Sequence, residues 1–264
     1  MPDMLISKRL SAIAGFVSEG SRIADIGSDH ALLPVYLVQS GISPSGIAGE
    51  LNEGPLEAAR RGIAAAGLTS SIQARRGNGL EVLQPGEADT VTVAGMGGGL
   101  IRTILDEGAA AGKLEGVREL VLQPNVGEEL VRHWLREQGW YLQEEMIVEE
   151  DGKFYEVLHA VRSPQHAELN ERLYGSGTTI EGLSVEEEAE LRLKMGPWLL
   201  RGRNETEAFA LKWRSELKKL ERIVGELQKS GTDEAAARAE GFRRESRLIE
   251  EVLSCSQADN SSQD

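Results

Sequence analysis

Apolar and polar positions along the first 160 residues predict strands and helices in alternation. Short runs predict strands at 22–26, 46–49, 89–93 and 119–122, and alternating apolar and polar residues predict another strand at 71–76. Apolar residues at helical spacing predict helices at 4–17, 30–40, 54–66, 98–107 and 127–138. Such repeated strand–helix units are typical of an open, doubly wound α/β sheet, in which ligands bind at the carboxyl ends of the strands.

The pattern changes after residue 139. Residues 140–149 and 153–161 flank Asp151-Gly152, a dipeptide favoured in the tight turn of a β-hairpin. A plain dinucleotide-binding fold would continue with parallel units instead. An open sheet that ends in an antiparallel hairpin resembles the class I methyltransferases that use S-adenosylmethionine, and this step is a likeness of folds rather than a deduction from periodicity.

The last third of the chain has a different pattern. From residue 186 onward the spacing is helical, with breaks at Gly196-Pro197 and Gly231. Steps of three and four residues predict a coiled-coil seam made of Ala210, Trp213, Leu217, Leu220, Val224 and Leu227. A second stripe, which could pack back against that seam, contains Leu248, Ile249, Val252 and Leu253. We therefore expect an α/β domain over 1–162, a helical domain over 163–257 and a disordered tail over 258–264.

Composition and charge narrow the function classes. The chain has 264 residues and a net charge of −14, which is a poor starting point for nucleic-acid binding. Residues 201–230, however, carry 8 basic and 5 acidic residues, so a basic face could be local. No apolar run is long enough to span a bilayer, and no secretory signal is visible at the N-terminus. The single cysteine excludes an internal disulfide, and we expect a cytoplasmic protein.

Acidic residues end the first two predicted strands. Asp25 is followed by Gly27, which lets the main chain approach a ligand, although a simple turn that caps a helix remains an alternative. Glu50 is well placed to accept hydrogen bonds from ribose hydroxyls. Positions 25–32 contain one glycine rather than the three of a dinucleotide fingerprint. This favours a nucleoside ligand without phosphates over NAD.

Glycine-rich segments follow the third and fourth predicted strands. Asn78, between Gly77 and Gly79, could meet an adenine edge through its amide, or the segment could be an ordinary turn. Residues 94–99 contain four glycines, which remove side-chain bulk where the main chain faces a ligand; a flexible loop is the alternative. Met96 could pack on an adenine face or on the core.

Two further segments could carry chemistry. Asp29-His30 is an acid–base candidate, although an aspartate at a helix start is more often a cap. Gln123-Pro124-Asn125 ends the fifth strand, where no Asn/Asp-Pro-Pro-aromatic loop is present. Its absence disfavours methylation of an exocyclic amine and leaves a ring nitrogen as a target. Four histidines without paired spacing predict no metal site.

Six motifs in order resemble those of one family, the bacterial tRNA adenine-22 N(1)-methyltransferases (TrmK). They are 25–30 (DIGSDH), 52–59 (NEGPLEAA), 77–83 (GNGLEVL), 94–98 (AGMGG), 122–127 (LQPNVG) and 149–156 (EEDGKFYE). The resemblance runs from Ser7 to Val161 and continues more weakly to Lys212-Trp213. Each motif alone is weak, but six in the right order are highly specific.

This resemblance implies S-adenosylmethionine as methyl donor and a tRNA methylated on ring nitrogen 1 of an adenine in the D-arm region. It also implies a Rossmann-like catalytic domain, over 1–162, and a C-terminal coiled-coil domain that helps hold tRNA, over 163–257. The cofactor-binding positions expected here are Arg9, Asp25, Gly27, His30, Glu50, Leu51, Asn52, Gly77, Asn78, Gly79, Leu80, Ala94, Gly95, Met96 and Gly97. Glu50 and Asn78 replace the family's usual aspartates, and the charge lost at Asn78 could weaken cofactor affinity.

The expected catalytic residues are Asp29, Gln123 and Asn125, with Asp29 accepting from the exocyclic amine and the two amides reading the base edge. Basic residues are expected to contact tRNA: Arg75, Arg76, Arg102, Arg201, Arg203, Lys212, Lys218, Lys219 and Arg222. For those after residue 200, a solvated face of the coiled coil is the alternative. We expect no metal, no membrane contact, and a monomer or weak dimer. A methyltransferase with a small-molecule or protein acceptor, and a non-catalytic coiled-coil adapter, are the rival hypotheses.

Overall fold

A computed structural model describes residues 6–175, 183–202, 207–230 and 232–260. The chain divides into two compact units, Met1–Asn170 and Glu171–Asp264. Of the predicted features, Arg203, Gly231 and residues 261–264 of the expected tail lie outside the described residues.

The first unit is built on a seven-stranded mixed sheet with the strand order β3-β2-β1-β4-β5-β7-β6. Its strands are β1 (Ile23–Ile26), β2 (Gly46–Glu50), β3 (Ile72–Arg76), β4 (Thr90–Gly97), β5 (Glu119–Val126), β6 (Trp140–Glu150) and β7 (Lys153–Arg162). The first five are parallel, whereas β7 runs antiparallel to both β5 and β6. The predicted parallel sheet with a terminal antiparallel hairpin is therefore confirmed.

The central strands are short apolar runs because both faces of the sheet are covered. All four residues of β1 are buried. The helices of this unit are α1 (Lys8–Phe16), α2 (Leu32–Gln39), α3 (Glu53–Ala65), α4 (Gly98–Ala110), α5 (Glu128–Glu137) and the short α6 (His166–Asn170). One core cluster joins α1 and α2 to β1, β5 and β7, and another joins α2 and α3 to β2 and β3.

Two boundaries differ from the sequence prediction in ways that affect the site. Helix α1 begins at Lys8 rather than at residue 4, because the Ser7 hydroxyl caps it by accepting from the Leu10 N–H at 3.1 Å. Strands β4 and β5 continue beyond their predicted ends, with Met96 beside Pro124 and irregular register around them. The glycine-rich segment is thus largely strand, and positive φ at Gly95 permits the bulge.

A buried polar cluster lies at the amino end of β5. The Glu119 carboxylate accepts hydrogen bonds from the Ser18 hydroxyl at 2.7 Å and the Thr90 hydroxyl at 2.6 Å, and it contacts His159 Nε2 at 2.9 Å. Burial alone would raise the pKa of Glu119, but these hydrogen bonds outweigh it and lower the pKa to about 2. The cluster ties the end of α1 to three strands, away from the carboxyl edge.

The second unit is helical. After a π-helical turn at Glu171–Gly175 it contains α7 (Val185–Met195), α8 (Pro197–Arg201), α9 (Glu207–Ser230) and α10 (Asp233–Asn260). Helices α9 and α10 pack against each other, with Trp213 and Leu220 buried on α9 and Ile249 and Val252 buried on α10. Helix α10 includes residues 258–260, which the sequence assigned to the tail, because the helix continues through small and polar residues that permit it. Among the described helices, none has the length and apolarity that crossing a membrane requires.

Candidate active site at the carboxyl edge of the sheet

The carboxyl ends of β1 to β5 meet at one edge of the sheet because these strands are parallel. Every residue predicted to carry chemistry lies at this edge, just after one of these strands, or in α1. The structure therefore brings these segments together from positions as far apart as Arg9 and Asn125 in the sequence.

The turn after β1 is organised by Asp25. Its carboxylate is buried, with 5% of the residue exposed, and it accepts hydrogen bonds from the Ser28 hydroxyl and the Thr92 hydroxyl, both at 2.6 Å. Burial raises the pKa of Asp25, and the two hydroxyl donors oppose that effect. Gly27 has φ +72°, and a Cβ there would lie 2.2 Å from the Met96 methyl carbon. Asp25 thus fixes the turn, and Gly27 keeps its main chain close to the β4 segment.

Three consecutive residues after this turn have positive φ: Asp29 (34°), His30 (65°) and Ala31 (58°). This conformation is uncommon for side chains other than glycine, asparagine and aspartate, and strain of this kind clusters at functional sites. The Asp29 side chain is 86% exposed and lies 3.6 Å from the His30 ring. Asp29 is not a helix cap, because α2 begins at Leu32 and its N-cap is Ala31.

Glu50 holds this left-handed segment in place. Its Oε1 accepts a hydrogen bond from the Asp29 main-chain N–H at 2.7 Å. The residue is 7% exposed, and burial raises the pKa of its carboxyl group. Gly62 of α3 packs closely against the same segment, since a Cβ at this position would lie 2.7 Å from the His30 carbonyl oxygen. Beyond Glu50, Leu51 and Asn52 are exposed at the start of α3.

The segment after β3 lies beside β2. The Gly77 N–H donates to the Glu50 carbonyl oxygen at 3.0 Å. Asn78 is exposed, and its main-chain N–H donates to the Glu81 carboxylate at 3.0 Å. Gly79, with φ +53°, and the buried Leu80 begin a 3₁₀ turn over Gly79–Val82. The Asn78 amide is thus presented on a braced turn next to the end of β2.

The Gln123 side chain joins the ends of β4 and β5 through hydrogen bonds to several partners, and this set of bonds is called the Gln123 hub. Its Oε1 accepts from Arg9 Nη1 at 2.8 Å and from the Gly95 N–H at 3.1 Å. Its Nε2 donates to the Pro124 carbonyl oxygen at 2.8 Å and to Asn125 Oδ1 at 3.1 Å. Asn125 in turn donates to the Gly95 carbonyl oxygen at 2.8 Å. Gln123 is fully buried, so both of its polar atoms are used within the protein, and only Asn125 is exposed.

A cavity of about 510 Å³ opens beside this hub. It is lined by Arg9, Gly95, Asn125, Lys153, Phe154 and Tyr155. The last three come from the start of β7, where the Asp151-Gly152 turn returns the chain to the carboxyl edge. Sequence reasoning assigned them no role, although they stand within the 149–156 motif and the hairpin prediction contained the signal that places them here.

The arrangement could hold a nucleoside ligand. Glu50 ends β2, the exposed Asn78 follows β3, Gly95 is exposed after β4, and Arg9 contacts the same segment through Gln123. These groups could bind, in turn, ribose hydroxyls, an adenine edge, a closely approaching ligand and a carboxylate. Across the part of the chain that the structure describes, no cluster of three or more His, Cys, Asp or Glu could hold a metal ion.

Comparisons with known proteins agree on one family. The family model described as TrmK, tRNA (adenine(22)-N(1))-methyltransferase, matches residues 23–251. The tRNA (adenine(22)-N(1))-methyltransferase of Bacillus subtilis is 37% identical over 254 residues, which are 96% of this chain and 99% of the relative.

Solved structures point the same way. The crystal structure of the Bacillus subtilis M1A22 tRNA methyltransferase TrmK has a TM-score of 0.80 at 36% identity, covering 95% of this chain and 99% of that one. A putative tRNA (m1A22) methyltransferase from Streptococcus pneumoniae, in complex with S-adenosyl-L-methionine, has a TM-score of 0.75 at 37% identity and covers 94% of this chain and 100% of that one. This chain therefore belongs to the tRNA (adenine(22)-N(1))-methyltransferase family and is an S-adenosylmethionine-dependent tRNA methyltransferase.

Proposed function

We propose that the carboxyl edge of the first unit performs this reaction by holding S-adenosylmethionine along the ends of β1 to β4 and adenine 22 of tRNA beside the end of β5. The observation that carries the proposal is the position of Gly95, which is exposed, lines the cavity and has both its N–H and its carbonyl oxygen bonded by Gln123 and Asn125. A main chain without a side chain lets a ligand approach closely.

The cofactor's nucleoside end lies at β2 and β3 in this proposal. Glu50 accepts hydrogen bonds from the ribose hydroxyls with the carboxylate oxygen that does not hold Asp29, and the exposed Asn78 amide meets the adenine edge. The exposed Leu51 side chain, 55% accessible, offers an apolar surface for the adenine ring. Because Glu50 is longer by one methylene than the family's usual aspartate, its carboxylate reaches both the Asp29 N–H and the ribose.

The amino-acid end of the cofactor lies near Asp25, Gly27 and Gly95. Arg9 binds its carboxylate, since the half-buried Arg9 side chain donates to Gln123 and its positive charge acts to lower the pKa of Asp25. Met96 packs over the turn at Gly27. The methyl group then faces the cavity beyond Gly95.

Ring nitrogen 1 of neutral adenine already has a lone pair, so the protein needs no strong base to create the nucleophile. Its task is to align the nitrogen with the methyl group, and such positioning can contribute about 7–11 kcal/mol. The nitrogen lies on the Watson–Crick edge, so the base must be opened out of its stack before it reacts. The hub formed by Gln123 fixes Asn125, which reads the base edge, while Gln123 itself acts as a positioning residue.

The product ring is cationic, and Asp29 stabilises the charge that develops on it. The exposed Asp29 carboxylate accepts from the exocyclic amine, while its main chain is held by Glu50. His30, beside it, contacts the cofactor rather than the base.

The role of Asp29 is tested by replacing it with asparagine and with alanine. Asparagine tolerates positive φ and keeps the shape of the segment, so Asp29→Asn isolates the charge. We expect Asp29→Asn to lower kcat about tenfold or more, and Asp29→Ala to lower it further, with the Kd for S-adenosylmethionine unchanged in calorimetry. Full turnover in Asp29→Ala with normal cofactor binding would show that the carboxylate has no part in the reaction.

The second unit helps hold the tRNA. Its basic residues Lys218, Lys219 and Arg222 are exposed on α9, and Arg201 is exposed at the end of α8. We infer that α9 and α10 form a coiled coil, because the two helices pack together and Trp213 and Leu220 of the predicted seam are buried, which supports closure within one chain and a monomer.

Other cations pair with carboxylates, which leaves them less suited to bind phosphates: Lys219 on α9, and Arg75, Arg76 and Arg102 in the first unit.

A further inference from the structure

Three of the residues that line the cavity beside Gln123 have no role in cofactor binding or in the predicted catalysis. Lys153, Phe154 and Tyr155 enter it from the terminal hairpin, on the side away from the β1 and β2 ends. The side chains around it are two cations, two aromatic rings and one amide. Both charged side chains of this lining are cations, although the net charge of the chain is −14.

This cavity shares Arg9 and Gly95 with the proposed cofactor site. The Arg9 guanidinium lies 5.5 Å from the centre of the Tyr155 ring and donates to Gln123 Oε1. That same oxygen accepts from the Gly95 N–H. One arginine therefore connects the hairpin ring to the glycine segment where the methyl group is presented, and a base in the cavity would lie next to that segment.

Buried ion pairs anchor the hairpin and hold the Phe154 and Tyr155 rings in place. Glu156, the residue after Tyr155, is fully buried and pairs with Arg132 of α5. Arg132 also binds Glu145 of β6 at 2.6 Å. Because an incomplete ion pair in the interior is costly, this cluster fixes the start of β7 against α5 and β6.

In the described part of the chain, the neighbouring carboxylates of the hairpin bond to main-chain N–H groups and form no ion pair with Lys153. Glu150 accepts from the Lys8 main-chain N–H at 2.6 Å, and Glu149 accepts from the Gly152 N–H at 2.8 Å. Lys153 is exposed at the mouth of the cavity. Aromatic faces beside a cation are the chemistry by which proteins hold an unstacked nucleobase and its phosphate.

We propose that this cavity receives the target adenine once it has left its stack, with Phe154 and Tyr155 stacking on the base and Lys153 binding an adjoining phosphate. The proposal rests on the proposed function and deepens it by naming the acceptor subsite. In this proposal Lys153, Phe154 and Tyr155 determine how the enzyme binds tRNA and have no part in binding the cofactor.

The stacking contact is tested with Tyr155→Ala and Tyr155→Phe in the full chain. We expect Tyr155→Ala to lower kcat/KM for tRNA about tenfold or more, while the Kd for S-adenosylmethionine stays within twofold of wild type. Tyr155→Phe keeps the ring and is expected to restore most of the lost kcat/KM. If Tyr155 had only a structural role, its loss would weaken cofactor binding together with the kcat/KM for tRNA.

The phosphate contact is tested by salt titration of tRNA binding. One lost phosphate contact reduces the slope of log K against log salt by about 0.7–0.9. We expect that reduction for Lys153→Ala, and none for the control Arg136→Ala, which removes an exposed cation from the last turn of α5. This measurement decides the proposal even where Tyr155→Ala does not fold.

Unchanged kcat/KM for tRNA in Tyr155→Ala, or an unchanged salt slope in Lys153→Ala, overturns the proposal. Equal losses of cofactor and tRNA binding would also overturn it, because they would place the hairpin at the cofactor. Failure of the wild-type protein to methylate any tRNA would instead defeat the proposed function itself, and the two failures are therefore distinguishable.

Discussion

At the scale of single residues, the site depends on how one buried amide and several glycines bring main chains together. Gln123 bonds to the segments around Arg9, Gly95 and Asn125 at once. Gly98 completes the junction, since a Cβ there would lie 2.0 Å from the Gly127 carbonyl oxygen. The ends of β4 and β5 can thus approach only where a side chain is missing.

Gly98→Ala should therefore destabilise the protein, and Gly99→Ala is its matched control. The added methyl at Gly98 meets main chain that cannot rotate away, and overpacking of this kind costs about 1–3 kcal/mol. At Gly99 the nearest atom would be Leu130 Cδ1 at 3.9 Å, and alanine favours the helix by up to about 1 kcal/mol. Thermal melts and cofactor calorimetry should show losses for Gly98→Ala only. Equal melting temperatures for the two variants would contradict the close junction.

Sequence reasoning placed Asp25, Glu50 and Asn78 at the carboxyl edge of the sheet because each lies at or just after the end of a predicted strand, and the structure has them at that edge. It could not foresee that Gln123 is turned inward, since an amide after a strand has the same pattern whether it faces a ligand or the protein. The left-handed run at Asp29–Ala31 was equally hidden, because Glu50 and Gly62, which hold it, are distant in sequence.

At the scale of elements, polar clusters join helices to strands on the side of the sheet away from the site. The folded-state pKa of Glu119 is about 2, below its ordinary value of 4.5. A depressed pKa contributes stability that is present above about pH 4.5 and is lost as the pH falls toward 2. The difference corresponds to about 3 kcal/mol at neutral pH.

Glu119→Gln should accordingly lower the free energy of unfolding by about 3 kcal/mol at pH 7, and by progressively less as the pH falls from 5 to 3. Urea denaturation across that range measures the difference from wild type. Glu107→Gln, at an exposed position on α4, is the control and should show little effect at any pH. A Glu119→Gln deficit that does not change with pH would show that packing rather than charge accounts for it.

Most elements were predicted within a few residues because strand and helix periods differ and because turns carry glycine. The extension of β4 and β5 was not, since glycine-rich sequence normally favours a loop. Its pairing depends on side chains from α1 and β5 that local pattern does not contain. The hairpin was predicted correctly, but which of its residues enter a cavity depends on the packing of Arg132 beneath it.

At the scale of the whole molecule, the family and its reaction were recognised from six ordered motifs, and the comparisons confirm both. Overall charge argued against a nucleic-acid substrate, and that inference was misleading because the family acts on tRNA. Lys153, Lys218 and Arg222 are exposed, whereas Lys219, Arg75 and Arg76 each pair with a carboxylate. The coiled coil and the tRNA contacts of the second unit remain predictions.

The most direct test of the central claim is methyl transfer from labelled S-adenosylmethionine to two unmodified tRNAs that differ only by adenine or guanine at position 22. The label should appear only in the adenine tRNA, at ring nitrogen 1 of that residue. Label in both tRNAs, or on another atom or position, would contradict the account of how this edge of the sheet chooses and aligns its target.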